Sequence, residues 1–96
     1  MDKLTEARAV IDQVDRQMAE LFCQRMEAVK AVAEAKQELG LQIFDPKREG
    51  EVILKNSARV ENPELKPYYV DYLKSSLRKM IEFYLWQKMN TFMMTK

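Results

Sequence analysis

Arg25 and Lys36 stand eleven residues apart in a segment rich in helix formers, close to three whole turns, so the two cations share one helical face. They sit along a row of apolar side chains. Leu4, Ala7, Ile11, Val14, Met18 and Leu21 precede Arg25, and Ala28, Val29 and Val32 follow it, the spacing of a buried helical stripe. A guanidinium set into such a seam is costly unless an anion meets it. The residues leave two readings open: a buried ion pair, or a pocket for an anionic ligand. Further along, Asp45-Pro46-Lys47-Arg48-Glu49 adds two cations and two carboxylates within five residues.

The residue inventory limits what a pocket of this kind could do. The chain has no histidine and one cysteine, Cys23, so serine-histidine chemistry, an intrachain disulfide and a zinc or transition-metal cluster are excluded. Cys23, between Phe22 and Gln24, reads as a small half-buried thiol, since no histidine is available to activate it. No glycine-rich loop could cradle a phosphate. Any chemistry must run on Arg, Lys, Glu, Asp and Gln, and neither cofactor nor metal is expected.

The elements that must position these groups are helical. Of 96 residues 47% are hydrophobic and 32% charged, with two glycines and three prolines, and no stretch alternates at period two for long enough to make a sheet. This predicts one all-α domain spanning residues 1–96, with no internal repeat. A net charge of +1 gives no general attraction to nucleic acid or a membrane surface. No apolar run approaches the ~20 residues of a membrane span, and the N-terminus lacks a signal-like pattern, so a cytoplasmic protein is expected.

The first helix is predicted from Leu4 to Leu39, stopped by Gly40, and at 1.5 Å per residue it would be roughly 54 Å long. A compact monomer of this size is only about 30 Å across, so the stripe needs a second copy or a long partner to cover it, and an intertwined homodimer is expected. Asp45-Pro46 marks the start of a short second helix, Pro46–Ser57, which Gly50 weakens. Asn62-Pro63 and Lys66-Pro67 punctuate a connector. A third helix runs from about Pro67 toward Thr91, with Leu73, Leu77, Met80, Tyr84 and Gln87 as its inner stripe. The last five residues read as a frayed end or a partner contact.

Arg8, Arg25, Lys36 and the Asp45–Glu49 segment, in a long-short-long helix order, resemble the all-helical class of chorismate mutases. The likeness covers most of the chain to about Leu77, including Arg8-Ala-Val-Ile-Asp-Gln-Val-Asp15. It is nearest to the mutase domain at the front of bifunctional mutase-prephenate dehydratase proteins. The resemblance implies an intramolecular Claisen rearrangement of chorismate to prephenate, on the route to phenylalanine and tyrosine. That reaction has no covalent intermediate and no obligatory proton transfer, so this residue set suits it. It further implies that Arg8 and Arg25 bind the two substrate carboxylates and that Lys36 reaches a carboxylate and the ether oxygen. Arg48 would add positive field near the ring carboxylate, while Glu49 and the backbone around Asp45 would accept the substrate hydroxyl. Without the resemblance, Arg48 and Glu49 read equally as a solvated helix pair, and Asp45 as a cap. Arg8 lies 28 residues from Lys36, roughly 42 Å along a straight helix, so it would serve the other subunit's site.

The third helix departs from the family pattern. Where the family has a serine and, four residues later, a glutamine or glutamate that donates to the ether oxygen, this chain has Met80 and Tyr84. A shift of one turn, ~5 Å, would bring the Gln87 amide to that position, and Lys88 is a further donor if the helix rotates. Two other functions stay open. One is a mutase-like dimerisation or regulatory module with impaired catalysis; the other is an isochorismate-pyruvate lyase.

Overall fold

The computed structural model describes residues 2–42 and 44–94, apart from the side chains of 87, 88 and 90–94. Three helices make up the chain: α1 (Lys3–Leu39), α2 (Pro46–Ser57) and α3 (Lys66–Met94), with no strand among the described residues. None of these helices is long and apolar enough to cross a membrane. The residues fall into two compact units, Met1–Val32 and Ala33–Lys96.

Local chemistry sets each boundary. Asp2 caps α1: its carboxylate accepts the Thr5 amide at 2.7 Å and the Thr5 hydroxyl at 3.1 Å. These bonds, the amide's first, hold the Asp2 carboxyl below the ordinary aspartate range. At the other end Gly40 takes a left-handed conformation, φ 68°, which a side chain would disfavour. Its amide donates to Gln37 O at 3.2 Å and that of Leu41 to Lys36 O at 2.8 Å, the paired bonds of a Schellman stop. Asp45 caps α2 through a bond from the Arg48 amide at 3.1 Å, with Pro46 at the first helical position. In the connector Asn62 Oδ1 accepts the Glu64 amide at 2.9 Å, and Asn62 O accepts those of Leu65 and Lys66. Pro67 falls in the first turn of α3, where its missing amide costs no helical hydrogen bond.

The core lies in the unit Ala33–Lys96. Its buried side chains are Ala33, Leu73, Leu77, Met80 and Tyr84, so the described part of the predicted α3 stripe is the one that turns inward. α2 packs against α3, half-burying Val52, Ile53 and Asn56.

The unit Met1–Val32 is different. It is helix throughout its described length from Lys3, and none of its described side chains is buried. The row expected to be buried is open to solvent: Ile11 is 56% exposed, Met18 46% and Leu21 60%. That agrees with the length of α1, which leaves the stripe, and Arg25 with it, exposed in one copy; Cys23, expected half-buried, is exposed, which corrects that reading. The physical reason is that a single helix has one layer, and a second layer is needed to bury a face.

Candidate functional site

Lys36 stands in the last turn of α1, three residues past buried Ala33, and is itself half-buried. The Schellman stop ties its backbone down, because the carbonyl of Lys36 receives the Leu41 amide. The negative end of the helix dipole makes that turn a favourable place for a cation. The long aliphatic stem can lie along apolar surface while the Nζ reaches toward an anion.

Glu49 is the acidic counterpart. It lies in the first turn of α2, where the positive end of that helix favours a carboxylate, and it is half-buried. Glu49, Val52, Ile53 and Asn56 follow the i, i+3, i+4, i+7 spacing of one helical face, the face of α2 that is half-covered. Asn56 is turned back on its own helix, donating to Val52 O at 2.9 Å.

The neighbours of Glu49 are placed otherwise. Arg48 is exposed, and among the described residues its guanidinium lies 4.0 Å from the Glu51 carboxylate, with both side chains more than half in solvent. An exposed pair at that distance is worth little, so the guanidinium can turn to a stronger anion at small cost. Asp45 is exposed too. Its Oδ1 is engaged in the cap and its carbonyl accepts the Glu49 amide at 3.0 Å, so Asp45 sets where Glu49 stands in the first turn.

Lys36, Asp45, Arg48 and Glu49 thus belong to the unit that also holds the α3 stripe, whereas Arg8 and Arg25, both exposed, belong to the α1 stretch of the other unit. On α3, Met80 and Tyr84, at 8% and 6% exposure, occupy the positions where a polar donor was sought. The side chains of Gln87 and Lys88 lie outside the described residues. Sequence reasoning undervalued Tyr84. It is the one buried side chain described that carries an oxygen or nitrogen, and the signal was present in its place on the stripe. Within the unit Ala33–Lys96, Lys36 and Arg48 are the residue types that can meet an anion, and Glu49 is one that can accept a hydrogen bond from a hydroxyl. Among the described residues there is no group of three or more cysteine, aspartate or glutamate side chains placed to hold a metal.

The family model for chorismate mutase type II matches residues 7–85. Over 81 residues the chain is 32% identical to the T-protein of Haemophilus influenzae, an alignment covering 84% of this chain and 21% of that protein. Over 49 residues it is 43% identical to the chorismate mutase of Methanocaldococcus jannaschii, covering 51% of this chain and 50% of the other. The chain therefore spans half or less of the length of these curated relatives. Among solved structures, chorismate mutase from Thermus thermophilus in form II superimposes with a TM-score of 0.80 at 24% identity, over 86% of this chain and 94% of that one. That likeness is one of fold.

Proposed function

The chain belongs to the chorismate mutase type II family, and from that membership we propose that it converts chorismate to prephenate by intramolecular rearrangement, as one cytoplasmic helical domain over residues 1–96. In this reaction the ether C–O bond breaks as a new C–C bond forms within the same molecule. The ether oxygen gains negative charge in the transition state. Catalysis then consists of holding the substrate in its compact conformer and stabilising that oxygen with preplaced cations and donors. Arg25 grips one carboxylate through its planar fork. Lys36 spans a carboxylate and the ether oxygen, Glu49 accepts the substrate hydroxyl, and Arg48 adds field from the rim. Asp45 orders the start of α2 that presents Glu49. The observation that carries the proposal is the family match over residues 7–85, and the half-burial of Lys36 and Glu49 in one unit supports it.

The working form is a homodimer through α1. Leu4, Ala7, Ile11, Val14, Met18, Leu21, Arg25, Ala28 and Val32 alternate steps of three and four, the seam of a two-helix pairing, and the exposed part of it needs a cover. In an antiparallel pair, seating Met18 of one copy against Leu21 of the other sets Ile11 against Ala28 and Ala7 against Val32. The same register puts Arg8 level with residue 31 of the other copy, midway between its Arg25 and Lys36. Arg8 thereby completes the site of the other copy as the grip on the second carboxylate.

The experiment is chorismate disappearance followed by ultraviolet absorbance, with the product identified as prephenate. Turnover by the purified dimer is the expected result. A verified dimer without turnover that binds chorismate weakly or not at all would instead favour the regulatory module, and pyruvate release from isochorismate would favour the lyase.

A further inference from the structure

Among the described side chains, Lys36 and Glu49 are the only charged ones that are not exposed, and they flank the connection between α1 and α2, each about one turn from its end. Both are tied to the ends of that connection by their own main-chain groups. The Lys36 carbonyl accepts the Leu41 amide at 2.8 Å, and the Glu49 amide donates to the Asp45 carbonyl at 3.0 Å. The first of these bonds depends on Gly40, the one described residue with a positive φ, 68°. A left-handed residue at that place turns the chain so that the next amide points back at the last turn of the helix. A Cβ added to Gly40 would meet nothing within 4 Å, so backbone conformation, not room, is what calls for glycine there.

We propose that Gly40 is a positioning residue for the reaction: its left-handed conformation fixes where α1 stops, and so sets how Lys36 stands relative to Glu49 across the connection. The inference rests on the mutase reading above. Gly40 itself touches no substrate and acts through Lys36. Without a left-handed residue, α1 frays back or runs on by a residue. One residue of helix is about 1.5 Å of rise and about 100° of rotation, so the chain would leave for α2 from a different point and the Lys36 amine would be aimed differently from the Glu49 carboxylate. A misplacement of about 1 Å can cost ~10²-fold in rate, which makes the exact stop of this helix a catalytic matter and not only one of stability.

The test compares wild type with Gly40→Asn, Gly40→Ala and Gly40→Val, a series in which positive φ becomes steadily less accessible. Turnover and KM for chorismate are measured per folded dimer, and thermal melting is followed by circular dichroism. Gly40→Asn is expected to keep kcat within about threefold of wild type, Gly40→Ala to lose about 10-fold and Gly40→Val about 10²-fold, with KM rising less than kcat falls. Asn62→Ala is the control, because it removes the bond to the Glu64 amide in the other connection and lowers melting without touching α1. It is expected to keep the kcat of wild type. If Gly40→Val does not fold, the Asn and Ala variants decide the same question. Gly40→Ala and Gly40→Val proteins that melt lower yet turn over like wild type per folded dimer overturn the positioning role and leave the mutase reading intact. An equal fall in kcat for Asn62→Ala at a matched loss of melting temperature does the same. A wild-type dimer without turnover overturns both.

Discussion

Truncating Leu21 tests the dimer on which the shared site depends. Leu21 is 60% exposed in the chain, and in the proposed register it meets Met18 of the other copy near the two-fold axis. Full burial of a leucine is worth ~1.5–3 kcal/mol, so covering the exposed 60% contributes about 0.9–1.8 kcal/mol per copy and, by symmetry, about 1.8–3.6 kcal/mol per dimer. Leu21→Ala forfeits most of this while keeping helix propensity high. At 1.4 kcal/mol per decade the dimer dissociation constant should rise about 20- to 400-fold. Sedimentation over a dilution series reads this directly, and chorismate turnover over the same series should lose specific activity at the concentrations where the dimer dissociates, because in the proposed dimer Arg8 comes from the other copy. Arg16→Ala, on the opposite face of α1, is the control and should shift dissociation less than threefold. A Leu21→Ala protein that dissociates like wild type would refute the α1 pairing. Full activity from verified monomers would refute the shared site.

Alanine at Lys36 or Arg25 should abolish measurable turnover with the dimer still folded by circular dichroism; a variant that unfolds while keeping its activity per folded dimer would sink the ligand role. Mixing an Arg8→Ala chain with an Arg25→Ala chain should restore one intact site per heterodimer, measured as regained turnover on subunit exchange. Gly50→Ala should stabilise the protein by about 0.5–1 kcal/mol in urea unfolding, because Gly50 is helical and an added Cβ meets nothing within 4 Å, whereas at Gly40, φ +68°, the same change should destabilise. Asp2, whose carboxyl is depressed by its bonds from Thr5, contributes stability that is complete above its unfolded pKa and lost as pH falls through the lower folded value. Acid should therefore fray the first turn of α1, seen as a shift of the Thr5 amide resonance, and Asp2→Asn should remove that pH dependence.

The ends of the helices were legible because each is closed by groups a few residues away. Asp45 and Pro46 start α2 by capping and by a preset φ, and Gly40 stops α1 because a left-handed residue there lets Leu41 and Gly40 close the last carbonyls. The small differences are at α1, which begins at Lys3 instead of Leu4, and at α3, which begins at Lys66 and continues to Met94. The inner row of α3 was legible for a related reason: apolar residues at spacings of three and four turn to whatever layer is near, and α2 is near. The same periodicity on α1 predicted a buried row, and within one chain that row is exposed. Periodicity says which face seeks cover and is silent on what provides it.

Site chemistry divides along the same line. Residue types and spacing singled out Arg25 and Lys36, leaving an ion pair and an anionic ligand both open, and the family resemblance implied roles for Arg8, Asp45, Arg48 and Glu49. Only the tertiary structure separated half-buried Lys36 and Glu49 from exposed Asp45 and Arg48, turned Arg48 toward Glu51, and seated the Tyr84 ring in the core. Caps and helical periods depend on neighbours within about a turn, so the chain carries them in its own order. Burial, and the worth of a charge or a hydroxyl that follows from it, depends on residues distant in sequence, and these meet only when the helices pack.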